Sequence, residues 1–288
     1  MTWQWSEVLF NLRRDAVDLG AWGHWGTWWP VALLHDKLGW GGRAPAKEDF
    51  QYNFSQSGAE CESLIRDRMA LRLVRLMDLD TTRWTHGVVV IRIGVNSFGT
   101  REALQALSVN PDDPGVQASM TNCVGQIQQS VALIHEHHPK TNIVLVGIFD
   151  NSNWARLTKF WQSAGEKNNI AQGLNHFDQA LRGMVAKDKR LAFFDDRAWF
   201  DVRWGGRDQQ GLPAYRPVVL GSRYQVFNTV GDHPQHATLV DGHAGLVWNL
   251  LWAQSLVALI NQSFDERIPE ITDAELIRWL DHATAGRW

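Results

Sequence analysis

Late in the chain, Val240-Asp241-Gly242-His243-Ala244-Gly245 sets a carboxylate two residues before an imidazole, just where an apolar run begins. An aspartate that close can hold one tautomer of the ring and stabilise its protonated form, as a base that activates a hydroxyl requires. Asp-Gly turns and histidines at helix starts also occur for structural reasons alone, so the pair needs partners. Three earlier stretches offer them: Arg14-Asp15-Ala16-Val17-Asp18-Leu19-Gly20, Asn53-Phe54-Ser55-Gln56-Ser57-Gly58-Ala59 and Gly94-Val95-Asn96-Ser97. A fourth cluster, His135-Glu136-His137-His138, lacks the His-Glu-x-x-His spacing that puts two rings on one helix face. It precedes Pro139 at a helix end, where histidines meet the negative end of the dipole, so it reads as structural and no metal site is expected.

The elements that must position these residues follow from periodicity. Glu7-Val8-Leu9-Phe10-Asn11-Leu12 reads as a short buried strand, with residues 13 to 20 a polar turn. A helix is expected from about Thr27, as cap, to Leu38, with Gly39 as stop. Phe50 to Phe54 is the second strand, followed by helical spacing to Met77. Val88 to Ile93 is the clearest central strand. A helix over 116 to 137 stops before Pro139. Strands over Asn142 to Ile148 and Leu191 to Phe194 flank a helix over 171 to 187. Strand and helix thus alternate five times, the pattern of parallel strands joined by helical crossovers. From Arg197 to Val240 the regularity lapses, apart from a hairpin over 218 to 227. An apolar helix over 244 to 261 follows, and Thr272-Asp273-Ala274-Glu275 is a capping box that opens a terminal helix.

The totals narrow the function classes. A chain of 288 residues with 44% hydrophobic residues suits one large domain. A net charge of -3 gives no basic footprint for nucleic acid. The most apolar helix is interrupted by Asn249 and Gln254, so no membrane span is expected. Without a signal-like start the chain reads as cytoplasmic. Cys61 and Cys123 read as free, buried thiols rather than a disulfide framework. The chain has 16 Trp, several in Trp22-Gly23-His24-Trp25-Gly26-Thr27-Trp28-Trp29, where indoles either fill contacts, including those of a homo-oligomer, or stack on a sugar or aromatic ligand.

Taken in order, the marked blocks resemble the SGNH, or GDSL-type, family of esterases and lipases. The family's Gly-Asp-Ser-Leu-Thr-x-Gly aligns with Arg14 to Gly20, its Asn followed by Gly five positions on with Asn53 and Gly58, and its Gly-x-Asn-Asp with Gly94 to Ser97. Its Asp-x-x-His is approximated, one residue short, by Asp241-Gly242-His243, with Asp232 the fallback acid. The resemblance implies an α/β fold: a three-layer α/β/α sandwich with a five-stranded parallel sheet in the flavodoxin-like order 2-1-3-4-5. It forms one domain over residues 1–288, with an insertion at about 197–240 and a helical extension at about 264–288.

By the same resemblance, His243 is the base, Asp241 its orienting acid, and the backbone N–H groups of residue 16 and Gly58, with the Asn96 amide, an oxyanion hole. The substrate is then a small-molecule or glycan ester, no cofactor is needed, and Asp15, Trp22, His24, Trp25 and Trp28 border the pocket. Ala16 stands where the nucleophilic serine belongs. Three explanations stay open: a Ser-to-Ala replacement, a natural pseudoenzyme that binds without turnover, or a nucleophile elsewhere, with Ser55 and Ser57 the local alternatives.

Overall fold

A computed structural model of the protein describes residues 3–40 and 43–284. The last four residues of the expected terminal extension, 285–288, lie outside the described residues. In chain order the elements are α1 Trp5–Arg13, β1 Trp22–Trp25, α2 Trp29–Lys37, β2 Lys47–Phe50, α3 Met69–Asp78, β3 Val88–Ile91, α4 Val95–Phe98, α5 Arg101–Val109, α6 Pro114–His137, β4 Asn142–Val146, α7 Ala164–Val185, β5 Leu191–Phe194, α8 Asp196–Trp204, β6 Val218–Leu220, β7 Tyr224–Val230, β8 His236–Thr238, α9 Leu246–Phe264 and α10 Asp273–Thr284.

The framework is mixed α/β. The central sheet is parallel and has three strands, β3-β4-β5, instead of the expected five. Helices cover both of its faces, and β4 shows why. Its Val144 and Val146 enter one apolar cluster with α8 and α9, while Ile143 and Leu145 enter the other with α5, α6 and α7. A strand apolar on both sides must be covered on both sides.

The two missing strands went elsewhere. Residues 7 to 12 belong to α1, not to a strand. Trp5, Val8, Leu9 and Leu12 recur at helical spacing, Gln4 and Glu7 form a reciprocal cap at the start, and the apolar stripe packs on α9. Trp5 meets Trp252 with ring centroids 5.1 Å apart. Phe50 ends β2, which pairs antiparallel with β1 in a separate two-stranded ribbon rather than joining the central sheet; residues 51 and 52 are turn and 53 and 54 irregular.

The region after β5 also differs from expectation. Residues 196 to 204 form α8, capped by the Asp195 carboxylate on the Ala198 N–H at 3.0 Å. Beyond it, β6 and β7 form the expected hairpin, and β8 joins β7 in parallel. The capping box at Thr272 is present, with Glu275 N to Thr272 Oγ1 at 3.2 Å and Thr272 N to Glu275 Oε2 at 2.9 Å. Cys61 and Cys123 are buried as expected but not free: they are joined in a disulfide that fastens the 3-10 turn at Cys61–Leu64 to α6. Sequence spacing gave no sign of it, because the two cysteines are 62 positions apart and the chain between them is folded back by α3, β3, α4 and α5.

Candidate functional site

The Asp241-His243 loop is built by backbone hydrogen bonds. Thr238 bridges Ala244, Leu239 N donates to His243 O at 2.8 Å, and Gly245 N, at the cap of α9, donates to Ala237 O at 2.8 Å. Gly242 takes φ +93, and a side chain there would meet Arg156 at 2.7 Å, so the turn needs glycine. In this loop Asp241 grips His243 twice, Oδ1 accepting the backbone N–H at 2.9 Å and Oδ2 standing 3.1 Å from Nδ1. Those two contacts, the backbone N–H first, hold the Asp241 carboxyl below the usual carboxylate range. The ring is therefore oriented with Nε2 outward. It is also 76% exposed, so water screens the pair. Asp232 does other work: its Oδ1 accepts the Val240 N–H at 3.1 Å and braces the loop.

The second and third blocks meet one another. Asn96, in α4 just past the carboxyl end of β3, donates its amide to Ala59 O at 3.0 Å, and Ser97 Oγ accepts the Cys61 N–H at 2.9 Å. Gly58 takes φ +72 in an exposed turn with open space around its Cα, so its conformation, not a close neighbour, calls for glycine. Asn53 folds a local turn, accepting from Ser55 N at 3.0 Å and Ser55 Oγ at 2.7 Å. The Trp154 indole, beyond the carboxyl end of β4, donates to Gly242 O at 3.1 Å. Asn96 and the Asp-His loop thus both attach at the carboxyl ends of parallel strands, where ligands of open α/β sheets sit.

The first block is placed differently. It follows a helix, not a strand: Ala16 N closes the end of α1 on Arg13 O at 2.9 Å, and Asp15 and Ala16 are exposed. Asp18 caps Gly20 N at 2.8 Å and lies 3.5 Å from Arg83, which precedes β3, so this block runs toward the amino end of that strand. Ala16 lines a cavity beside β3 together with Asn53 and Ser55, a different setting from that of His243. Of the aromatic group, Trp22 sits edge-on to Phe50 at 5.0 Å, Trp25 donates to Ala21 O at 2.9 Å, His24 faces solvent opposite Glu48, and Trp28 is exposed at the start of α2. The histidines at the end of α6 have partners, His135 on Thr141 O at 3.0 Å and, just past the helix, His138 on Asp78 at 3.0 Å.

Sequence reading missed a polar knot at the carboxyl end of β4. Half-buried Lys167 reaches Asp150 at 3.3 Å, Asn153 at 3.2 Å and Ser152; Tyr215 donates to Asn153 at 2.9 Å. Burial lowers the Lys167 ammonium against the pull of Asp150, and raises the Tyr215 hydroxyl to about 12. Beside the knot lies a cavity of about 230 Å³ bordered by Asp150, Asp195, Arg197 and Asp201. Burial, then the Asp150 carboxylate, push Asp201 up to about 6. The available signal was an aspartate just beyond β4 and another just beyond β5.

Comparison with known protein families, with curated proteins and with solved structures found no match. No helix among the described residues is long and apolar enough to cross a membrane. The structure thus defines an α/β protein with a parallel sheet covered by helices on both faces, carrying an oriented Asp-His pair near one end of that sheet.

Proposed function

We propose that the protein is an ester hydrolase scaffold of the SGNH type, with position 16 the place of the nucleophile in the order of the blocks and Ala16 leaving this chain unable to form an acyl-enzyme; because the fold sets position 16 and His243 near different ends of the sheet, the reading requires the 14–20 segment to approach His243. The observation that carries the reading is the double grip of Asp241 on His243, which leaves one imidazole nitrogen free to take a proton. With one N–H of the Asn96 amide held on Ala59 O, its second N–H and the Gly58 N–H are the donors this reading assigns to a developing oxyanion near the carboxyl end of β3. The substrates are small-molecule or glycan esters, with the Trp22 to Trp28 ribbon as a stacking surface. The Cys61–Cys123 bond favours an oxidising compartment over the cytoplasm.

Ala16→Ser tests this. The expected outcome is turnover of a short-chain chromogenic ester, reduced at least about a thousandfold when His243→Ala is added. If folded Ala16→Ser hydrolyses nothing in a panel of acetyl, butyryl and aromatic esters, the hydrolase reading is wrong. A second reading is favoured by Ala16 itself: a binding protein that holds such a ligand without turning it over, in which case the variant stays inert but still retains the ester.

A further inference from the structure

β3 is the last strand on one side of the central sheet, and its outer edge is open. In a parallel ladder, alternate residues turn both backbone groups toward the same neighbour. Asn142 N donates to Gly87 O at 2.9 Å, so Gly87, Val89 and Ile91 serve β4, and the N–H and C=O groups of Val88 and Val90 point the other way. Among the described residues these four groups have no hydrogen-bond partner. They face the cavity that Ala16 also lines, of about 640 Å³. One wall is made by Leu9, Val257 and Ile260, the other by Met69, Leu73 and Ile134. The side chains of Val88 and Val90 pack with the first wall and that of Val89 with the second.

We propose that this slot docks an extended apolar peptide segment, which adds to β3 as a fourth strand of the sheet. An acyl chain would suit the walls but leave the four backbone groups dry, each at a cost of roughly 1–3 kcal/mol. A second copy of the chain cannot bring its own β3 here, because that strand carries the same two walls. A lone strand meets both demands: its backbone completes the ladder and its alternating side chains enter both walls. Since both walls are apolar, the segment is apolar on both faces. β3 spans roughly 13 Å at about 3.3 Å per residue, so four to five residues fill the slot. Position 16 borders the same slot, yet docking here draws on no ester chemistry and stands if that reading fails.

The test uses the full chain and a blocked peptide with a Val-Ile-Val-Val-Ile core flanked by lysines, with amide hydrogen exchange read at Val88 and Val90. Saturating peptide is expected to slow both amides at least about tenfold. Val90→Pro, which removes a slot-facing N–H and none that serves β4, abolishes the slowing at Val88, and Ile260→Trp, which narrows the slot, abolishes it at both amides. Unchanged exchange in the folded protein overturns the proposal. So does exchange at both amides already slow without peptide, or retention of palmitate in preference to the peptide.

Discussion

The face of the central sheet under α8 and α9 and its edge at β3 are finished in different ways. The face is sealed: Trp204, Trp248 and Trp252 are almost wholly buried, Trp248 packs against Phe149, Trp154, Trp199 and Phe200, and the Trp252 indole donates to Asp196 at 2.9 Å. Toward β3 the sheet stops at an unpaired edge, Val88, Val89 and Val90 are only half-buried, and Trp28, Leu34 and Trp40 of the adjoining segment are more than half exposed. One chain of even apolar content has thus spent its tryptophans in two ways, as packing on one side and as uncovered surface on the other. The exposed side holds the surface that remains to be matched by something else.

The comparison breaks first at Trp248. Trp248→Ala should destabilise the protein by about 3–5 kcal/mol, measured by urea denaturation, whereas Trp28→Ser should stay within about 0.5 kcal/mol. Equal losses would mean that the two sides are not differently packed. Proline sharpens the contrast. Val144 lies in the middle strand, where backbone groups are taken on both sides, so Val144→Pro should cost about 3 kcal/mol or more. Val90→Pro, on the open edge, should cost less than about 1 kcal/mol.

A smaller effect belongs to the end of the sheet. The folded Asp201 carboxyl, at about 6, stands above its ordinary 3.8, so the folded state holds a proton that the unfolded chain releases. Its contribution is intact below about pH 4 and lost as pH rises through about 6. Asp201→Asn should therefore match the parent at pH 4 and exceed it at pH 7 by on the order of 1 kcal/mol or less, since water screens part of the interaction. A gain that appears at pH 4 instead would locate its cause elsewhere.

These contrasts also explain what could be read in the sequence. β5, the β6–β7 hairpin, α9 and the cap of α10 were legible because their signals are local: an apolar run, a turn, a capping pair. α1 was misread because Val8-Leu9-Phe10 is a compact apolar run, and only the longer spacing from Trp5 to Leu12 shows the helical stripe. α8 was hidden by the glycines after it, and the disulfide by its long sequence separation. At the candidate site, the Asp241-His243 contact was legible since a single residue, Gly242, separates the partners. The Lys167 knot was not, because Asp150, Lys167 and Tyr215 meet only once β4, α7 and the chain after α8 are folded together. The blocks before β3 were expected at strand ends that the fold does not make.

The aromatic side has an optical consequence. Trp199, Trp204 and Trp248 stand 5.0 to 5.7 Å apart between ring centroids, close enough for their electronic transitions to couple. Near-ultraviolet circular dichroism will therefore report chiefly on the sealed flank, while red-shifted, easily quenched emission will come from indoles such as Trp28. A single sample then carries two spectroscopic reporters, one for each flank.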